Sequence, residues 1–476
     1  MAKKNSTVFV CQECGYESPK WMGQCICGAW NTMVEEKVIN TAGDDKRRRA
    51  TDRDNGNGRH TSSKPARISE ILSGEEKRID TGIGELNRVL GGGLVSGSLV
   101  LISGEPGIGK STIIIQAASN IAASCGPVLY VSGEESEEQI KMRADRVCRC
   151  LPENLFLLSE TNMENINEVC RKLKPAFLII DSIQTMYSSD LDSAPGSVSQ
   201  VRACGNELMR IGKVWNIPVF IVAHVTKSGE LAGPRILEHM VDCVLSFMGD
   251  RSHEIRILRA QKNRFGTTSE IGAFEMAEEG LIEIENLSGT LLEEMDTDSE
   301  GAVATAVYEG TRPLVLEVQA LTSQSNIGFA RRTSIGVENS RLNMILAVLE
   351  KKMGLSLINQ DVYVNIVGGI RPEGTYTDLA VALAVYSSYS GKTLISNTLA
   401  LGEIGLTGDL RAVQNSEKII REAAHLGFEN VILPVRNAER LRKVMKSINE
   451  ERCDNGQPVL KLIAMKNVSE IVRLFK

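Results

Sequence analysis

The sequence predicts an α/β chain built around a parallel sheet with crossover helices, preceded by a small cysteine-rich segment and followed by an α+β domain. Three observations lead to this prediction. From about residue 66 to 290, short apolar segments alternate with longer helical ones, which is typical of strands joined by crossover helices. A glycine-rich loop at 104–112 directly follows an apolar run at 99–103. Four cysteines cluster within the first 36 residues.

Length and composition limit the classes of protein to which the chain can belong. Its 476 residues exceed what one core normally organises, so we expect about three domains. No apolar run is long enough to cross a bilayer, and the first residues lead into cysteines rather than into the apolar stretch of a secretion signal. We therefore expect a cytoplasmic protein without membrane contact, in which clustered cysteines bind metal rather than form disulfides.

The glycine-rich loop fits the pattern G-x-x-x-x-G-K-[ST] and consists of Gly104, Glu105, Pro106, Gly107, Ile108, Gly109, Lys110, Ser111 and Thr112. Its glycines let several backbone N–H groups point at one phosphate, at the positive end of the following helix. Lys110 then reaches the β- and γ-phosphates, and Ser111 offers its hydroxyl to Mg²⁺. We predict that this loop binds ATP together with Mg²⁺.

Two further predicted strands lead into carboxylates. Asp181 ends the apolar run 177–181, where its carboxylate orients Mg²⁺ beside the phosphates. Glu134 and Glu135 follow another strand, at the sheet edge where switch-point sites lie. Because a carboxylate is the usual general base for hydrolysis, we predict that Glu134, or otherwise Glu135, polarises the attacking water.

His224 ends a fourth apolar strand and begins a glycine-containing loop. A polar side chain at this strand end can detect a γ-phosphate and pass that information to the loop. We predict that His224 is such a sensor. The alternative is a histidine that only completes the end of the strand.

Residues 1–36 contain the cysteine pairs Cys11/Cys14 and Cys25/Cys27. Paired cysteines at such spacing make a Cys₄ zinc ribbon, in which four thiolates hold Zn²⁺ and replace a core that so short a segment cannot build. The second pair has one intervening residue instead of two, so a weakened site is the alternative.

Composition also predicts the remaining boundaries. Residues 37–65 are almost devoid of apolar side chains and predict a flexible linker. Residues 66–290 form the predicted ATPase domain. In residues 291–476, short strands mix with helices, which predicts an α+β domain with its core at about 330–476.

Beside the nucleotide loop, the sequence contains the run Tyr130-Val-Ser-Gly-Glu-Glu-Ser, the run His224-Val-Thr-Lys, and a motif that consists of Lys262, Asn263, Arg264, Phe265 and Gly266. Together these four features resemble the RadA (Sms) family of bacterial DNA-repair ATPases. The resemblance covers nearly the whole chain and extends to RecA-like recombinases and ring helicases. It implies a RecA-like P-loop core in a homohexameric ring that hydrolyses ATP, moves on single-stranded DNA and drives branch migration of recombination intermediates. Implied partners are single-stranded and branched DNA, a recombinase, and replication or repair proteins.

The resemblance also implies roles for basic residues. In a ring, Lys262 and Arg264 reach the phosphates bound by a neighbouring subunit or contact DNA phosphates. The loop after His224 lies where RecA-like motors contact DNA, and it offers Lys227 and Arg235.

The final domain resembles the proteolytic domain of Lon, which needs a serine nucleophile and a lysine base. Tyr376 stands at the serine position and Glu417 at the lysine position, with Lys418 next to it. Because both members of the dyad are replaced, we do not expect a peptidase. The resemblance to the RadA family implies that the domain is instead a scaffold for ring formation and DNA binding. A Lon-type ATP-dependent protease, a nucleotide-switched binding module and a function dominated by zinc binding are the alternatives.

Overall fold

The structure is a computed structural model that describes residues 6–11, 16–38, 78–224, 236–249, 255–293, 295–296, 298–325, 330–372 and 374–476. Cys14, Lys227, Arg235 and most of the predicted linker lie outside these ranges. The chain divides into two compact units, Met1–Glu283 and Ile284–Lys476.

The first unit begins with a small antiparallel sheet in the order β2-β1-β3. Its strands are β1 (Ser6–Cys11), β2 (Glu17–Ser18) and β3 (Met33–Val38). Among the described residues of this segment, the buried apolar side chains are Cys11, Cys25 and Met33, against which Phe9 packs. So small an apolar cluster cannot stabilise a fold by itself, which is consistent with a segment held by metal.

The rest of the first unit alternates strands with helices. The strands are β4 (Arg78–Ile79), β5 (Leu94–Val95), β6 (Leu99–Gly104), β7 (Val128–Ser132), β8 (Leu155–Ser159), β9 (Phe177–Asp181), β10 (Val219–His224), β11 (Cys243–Met248), β12 (Ile255–Asn263), β13 (Ile271–Ala277) and β14 (Gly280–Glu283). The helices are α1 (Gly84–Leu90), α2 (Lys110–Ser124), α3 (Glu137–Val147), α4 (Met163–Leu173), α5 (Val198–Trp215) and α6 (Ile236–Met240).

A nine-stranded sheet organises this unit in the order β14-β13-β12-β11-β6-β10-β9-β7-β8. The six strands from β11 to β8 are parallel, and β12, β13 and β14 continue the sheet as an antiparallel meander. The apolar strands β6 and β7 are buried along their whole length, as expected for strands covered on both faces. Helix α2 packs into the core on one face, and α4 and α5 pack into the core on the other.

The sequence predicts a hairpin-like segment near 242–247, and the structure corrects this in part. β11 is a parallel neighbour of β6, and only its other edge pairs antiparallel with β12. An apolar run alone does not reveal strand direction, because parallel and antiparallel strands share the same side-chain alternation.

The second unit is an α+β domain around a seven-stranded sheet in the order β17-β18-β16-β15-β19-β22-β23. Its strands are β15 (Ala302–Glu309), β16 (Arg312–Gln324), β17 (Arg332–Ile335), β18 (Gln360–Ile366), β19 (Thr398–Ala400), β20 (Glu403–Ile404), β21 (Leu410–Arg411), β22 (Asn430–Pro434) and β23 (Lys461–Met465). Its helices are α7 (Leu287–Leu292), α8 (Asn339–Met353), α9 (Asp378–Ser390), α10 (Ser416–His425) and α11 (Val435–Asp454). Two 3₁₀ segments are Val367–Gly369 and Val468–Leu474.

Helix α9 lies in the interior of this unit, with every residue from Asp378 to Ser387 buried. Strands β15 and β16, which precede residue 330, form the middle of the sheet, so the packed core extends N-terminal to that residue. Among the helices in the described ranges, none combines the length and the apolar character needed to span a bilayer.

Candidate active site

Four parallel strands bring the predicted nucleotide-site residues to one edge of the large sheet. β6 ends at Gly104, opposite His224 of β10, and β7 ends at Ser132, opposite Asp181 of β9. Carboxyl ends of parallel strands are where ligands bind in α/β sheets. The fold therefore collects the glycine-rich loop, the Glu134 segment and Asp181 at one place.

The loop between β6 and α2 takes backbone angles that require glycine. Gly107 has φ 79° and Gly109 has φ 116°, in the region that side chains disfavour. A Cβ on Gly109 would also lie 2.9 Å from the Met276 methyl carbon. Helix α2 begins immediately afterwards at Lys110, so its free N–H groups face the loop.

Lys110 is buried inside the loop, with 4% of its surface exposed. Its Nζ donates hydrogen bonds to the carbonyl oxygens of Gly104 at 2.8 Å and Glu105 at 2.9 Å. Burial lowers the pKa of Lys110 to about 8, although the Asp181 and Glu134 carboxylates nearby favour the charged form. A phosphate bound in the loop would stabilise this ammonium.

Ser111 and Asp181 present oxygen ligands side by side. The Ser111 hydroxyl donates to Asp181 Oδ2 at 2.9 Å. A hydroxyl and a carboxylate next to phosphates are the donors that Mg²⁺ prefers, and it keeps waters at its remaining positions. These residues therefore fit a magnesium ion.

The structure distinguishes the two candidate bases. Glu134 accepts a hydrogen bond from the Ser182 hydroxyl, beside Asp181, and its charge acts on Lys110. Glu135 instead forms an ion pair of 2.5 Å with Arg143 of α3. Only Glu134 thus joins the cluster around Lys110, and this supports it over Glu135 as the base.

Sequence reasoning missed Tyr130, which lies in the apolar strand β7. Its hydroxyl donates to Asp181 Oδ2 at 2.5 Å, and 1% of the residue is exposed. Burial, together with the adjacent Asp181 charge, raises the pKa of Tyr130 well above its usual value, so the phenol stays protonated and donates. In an apolar run, a tyrosine is predicted to be a core residue, and only the pairing of β7 with β9 reveals its polar partner.

The structure describes little of the predicted sensor and of the predicted DNA-contacting loop that follows it. The backbone of His224 lies opposite Gly104, next to the nucleotide loop, whereas its side chain lies outside the described part of the chain. Lys227 and Arg235 also lie outside the described residues. Their assignments stay predictions.

The motif 262–266 lies at the other edge of the sheet. β12 runs antiparallel to β11, so Asn263 pairs with Cys243, which itself pairs with Val100 near the start of β6. The phosphate loop begins at the far end of β6, after Gly104. The structure therefore does not bring Lys262 and Arg264 together with Lys110 of the same chain.

Local contacts hold this motif tightly. Lys262 Nζ donates to the carbonyl oxygens of Glu238 at 2.7 Å and Val241 at 2.8 Å, at the end of α6. Arg264 forms an ion pair of 3.1 Å with the buried Asp242, to which Lys213 also binds at 2.7 Å.

The other motif residues contact the end of α1. Asn263 donates to the Val89 carbonyl at 3.1 Å, and the Phe265 carbonyl accepts from Arg78 at 2.9 Å. Gly266 lies so close to Gly91 that a Cβ on Gly266 would be 2.9 Å from the Gly91 Cα. The motif thus joins α1, β11 and α6 at the amino edge of the sheet.

Three of the four predicted zinc ligands lie together. The Sγ atoms of Cys11, Cys25 and Cys27 are all within 4.8 Å of one another, and those of Cys11 and Cys27 are 3.9 Å apart. A tetrahedral zinc with Zn–S bonds of about 2.3 Å holds its sulfurs about 3.8 Å apart. The described cysteines therefore fit zinc, and Cys14, the predicted fourth ligand, lies outside the described residues.

The residues at the two Lon-type dyad positions have other contacts in the second unit. The Tyr376 carbonyl accepts from the Gly402 N–H, and Glu417 pairs with Arg421 one turn later on α10. Lys418 Nζ contacts the Tyr308 hydroxyl at 2.6 Å. This geometry pairs the lysine with a phenol on β15.

Comparison with known proteins agrees with this architecture. Residues 65–230, which hold the nucleotide loop, Glu134 and Asp181, match the AAA domain family. Residues 9–35 match the rubredoxin metal binding domain, and residues 319–437 match subunit ChlI of Mg-chelatase.

Relatives are similar over almost the whole chain. DNA repair protein RadA of Bacillus subtilis is 51% identical over 440 residues, which cover 92% of this chain and 94% of that protein. DNA repair protein RadA of Listeria monocytogenes is 49% identical over 94% of this chain and 96% of its own length. The protein of that name from Halalkalibacterium halodurans is 48% identical over 92% of this chain and 94% of its own. With this identity along its length, and with a nucleotide loop, a cysteine cluster and the motif 262–266 in place, the chain belongs to the RadA family of DNA repair proteins.

Proposed function

We propose that this chain is a DNA-dependent ATPase of homologous recombination and DNA repair, which works as a homohexameric motor on single-stranded DNA and drives branch migration. The observation that carries the proposal is the cluster of Lys110, Ser111, Glu134 and Asp181 at one sheet edge. Family membership supplies the DNA-repair context.

Each residue of this cluster has a part in the hydrolysis of ATP. The loop N–H groups and Lys110 hold the phosphates and offset the charge that develops as the γ-phosphoryl transfers. Ser111 and Asp181 would hold Mg²⁺, which supplies further charge neutralisation at the phosphates. Glu134 accepts a proton from the attacking water, and the Ser182 hydroxyl fixes the direction of its carboxylate.

The position of the motif 262–266 supports an action beyond its own nucleotide site. Lys262 and Arg264 lie at the amino edge of the sheet, away from the phosphate loop that begins at Gly104. They act either on the phosphates bound by a neighbouring subunit or on DNA phosphates. His224 senses the γ-phosphate, and Lys227 and Arg235 contact DNA.

We also propose that Cys11, Cys14, Cys25 and Cys27 hold one structural Zn²⁺. The three described sulfurs converge at distances that suit thiolates around one ion. The ribbon then folds on metal.

Branch migration tests the motor most specifically. The experiment follows a fluorescently labelled three-strand branched DNA with ATP and Mg²⁺, using wild type, Lys110→Ala and the control Lys141→Ala. Lys141 lies exposed on α3 and pairs with Asp145, outside the site. We expect branch movement with wild type and Lys141→Ala and none with Lys110→Ala. Equal movement with Lys110→Ala would contradict the motor, and ATP hydrolysis without movement would favour a nucleotide-switched binding module.

A further inference from the structure

A buried aspartate contacts the motif 262–266. Asp242 lies between α6 and β11, and 4% of its side chain is exposed. Its N–H donates to the Leu99 carbonyl at 3.0 Å, and its Oδ2 accepts from the Leu99 N–H at 3.1 Å. The carboxylate is therefore fixed to the first residue of β6, the strand that leads to the nucleotide loop.

Two basic side chains share this carboxylate. Lys213 of α5 donates to Asp242 Oδ2 at 2.7 Å, and a terminal nitrogen of Arg264 donates to Oδ1 at 3.1 Å. Burial disfavours the charged form of the carboxyl, but the hydrogen bonds from Lys213 and Leu99, with the positive charges beside it, still lower the pKa of Asp242. The aspartate is therefore ionised, and its cluster with the two basic side chains carries one net positive charge.

Neutralising the buried charge does not require Arg264, because Lys213 alone balances one carboxylate. The Arg264 side chain is 59% exposed, and an ion pair so accessible to water contributes little to stability. Within the described part of the chain, the Arg264 guanidinium donates to Asp242 alone. A guanidinium has five N–H donors, so most of those on Arg264 remain available to a second anion.

Asp242 restricts the direction of this guanidinium. The backbone N–H of Arg264 donates to the Asp242 carbonyl at 3.1 Å, in addition to the contact between the two side chains. One residue thus holds Arg264 at its backbone and at the tip of its side chain. Without such a contact, a long exposed side chain samples many rotamers, and fixing one of them costs conformational entropy. A cation that stabilises a transferring phosphoryl group is most effective when it is already in place.

We propose that Asp242 is a positioning residue for Arg264, which it orients toward a phosphate outside this chain's own nucleotide site. This inference rests on the proposed function, since it assumes that Arg264 acts on the phosphates of a neighbouring subunit or of DNA. Lys213 supplies the second positive charge, so that Asp242 stays paired while Arg264 contacts a phosphate.

A double-mutant cycle on the full-length protein distinguishes positioning from support of the fold. The variants are Asp242→Asn, Arg264→Ala and the combination of both. The rate of ATP hydrolysis is measured at one sub-saturating concentration of oligo-dT, and thermal unfolding is followed in parallel. The matched control is Glu85→Gln in the same unit. Glu85 is also a buried acid that accepts a backbone N–H, from Ala273 at 3.0 Å, and pairs with an arginine, Arg88 at 3.3 Å.

Asp242→Asn should slow DNA-stimulated hydrolysis about tenfold to a hundredfold, since a displacement of about 1 Å in a reacting geometry has effects of that size. In the Arg264→Ala background, the same change should alter the rate less than about twofold, because the group that Asp242 positions is already absent. Glu85→Gln should lower the melting temperature as Asp242→Asn does and leave the rate near that of the wild type. Losses of equal size in both backgrounds would mean that Asp242 only supports the fold, which would overturn the inference.

Arg264→Lys leaves the buried aspartate intact, so it tests the inference even if Asp242→Asn does not fold. A lysine keeps the positive charge, but its compact ammonium lacks the planar fork that holds a carboxylate and a phosphate together. We therefore expect Arg264→Lys to hydrolyse ATP nearly as slowly as Arg264→Ala. A rate near that of the wild type would mean that charge without this geometry is sufficient, and it would overturn the inference.

The same measurements separate this inference from the proposed function. If Arg264→Ala slows hydrolysis and Asp242→Asn does not, the inference fails and the proposed role of Arg264 stands. If Arg264→Ala hydrolyses ATP like the wild type, the proposed role of Arg264 fails and the inference fails with it. A wild type whose hydrolysis DNA does not stimulate would contradict the proposed function itself, and thereby this inference.

Discussion

The hydroxyl of Tyr130 donates to the Asp181 carboxylate at 2.5 Å, on the same oxygen that accepts from Ser111. A buried strand residue thus orients the acid that we assign to magnesium.

Tyr130→Phe should therefore weaken the binding of magnesium without changing the fold. A hydrogen bond to a charged group contributes about 1.5–3 kcal/mol, so we expect the half-saturating Mg²⁺ concentration for hydrolysis to rise at least tenfold. Magnesium titration at fixed ATP, with Tyr187→Phe as a control outside the network, measures this. A loss of activity that no magnesium concentration restores would contradict a positioning role.

ATP affinity should fall at alkaline pH. Burial lowers the pKa of Lys110 to about 8 in the free protein, and a bound phosphate favours the charged form. Affinity should be nearly constant between pH 7 and 7.5 and then decline above about pH 8, by about tenfold per pH unit, as the ammonium loses its proton. Equilibrium binding of a fluorescent ATP analogue measures the profile. Lys110→Arg should give a flat profile, and a flat wild-type profile to pH 9.5 would contradict the assignment.

Glu134→Gln should bind ATP but hydrolyse it about 10² to 10⁴-fold more slowly, because the amide cannot accept the proton of the attacking water. Glu135→Gln should lose much less, since Glu135 pairs with Arg143 rather than with the cluster around Lys110. Single-turnover hydrolysis separates binding from chemistry. The opposite ranking of the two variants would show that Glu135 is the base.

The purified protein should contain about one zinc per chain, which Cys25→Ser should remove. Three converging sulfurs and a very small apolar core make the ribbon dependent on metal. Elemental analysis measures the content, and Cys453→Ser, at an exposed cysteine, serves as control. Full zinc content in Cys25→Ser would contradict this site. Basal hydrolysis should survive zinc loss, since no nucleotide-site residue belongs to the ribbon.

Sequence patterns were sufficient to predict the parts of the fold that depend on local chemistry. The glycine-rich loop needs fixed spacing, and apolar strands ending in polar residues place Asp181 and Glu134 at the carboxyl edge. The match with the AAA domain and the parallel sheet confirm the predicted fold class. The paired cysteines likewise predicted a ribbon that the rubredoxin-type match confirms.

Other features depend on strand pairing between distant segments. The sequence predicts that Tyr130 is a core residue, and its polar contact becomes evident only from the pairing of β7 with β9. The motif 262–266 lies at the amino edge only because β12 reverses direction after β11. The ion pair that holds Glu135 away from the cluster around Lys110 depends on the position of Arg143 on the next helix. None of these is encoded in a short sequence window.

The proposed motor requires that hydrolysis at the Lys110 site is coupled to DNA. The most direct measurement is the ATP hydrolysis rate of wild type and Lys110→Ala, with and without single-stranded DNA, at several salt concentrations. We expect DNA to stimulate hydrolysis by the wild type, and this stimulation to weaken as salt rises because phosphate contacts release counterions. Hydrolysis should disappear in Lys110→Ala. Hydrolysis that is indifferent to DNA at every salt concentration would contradict it.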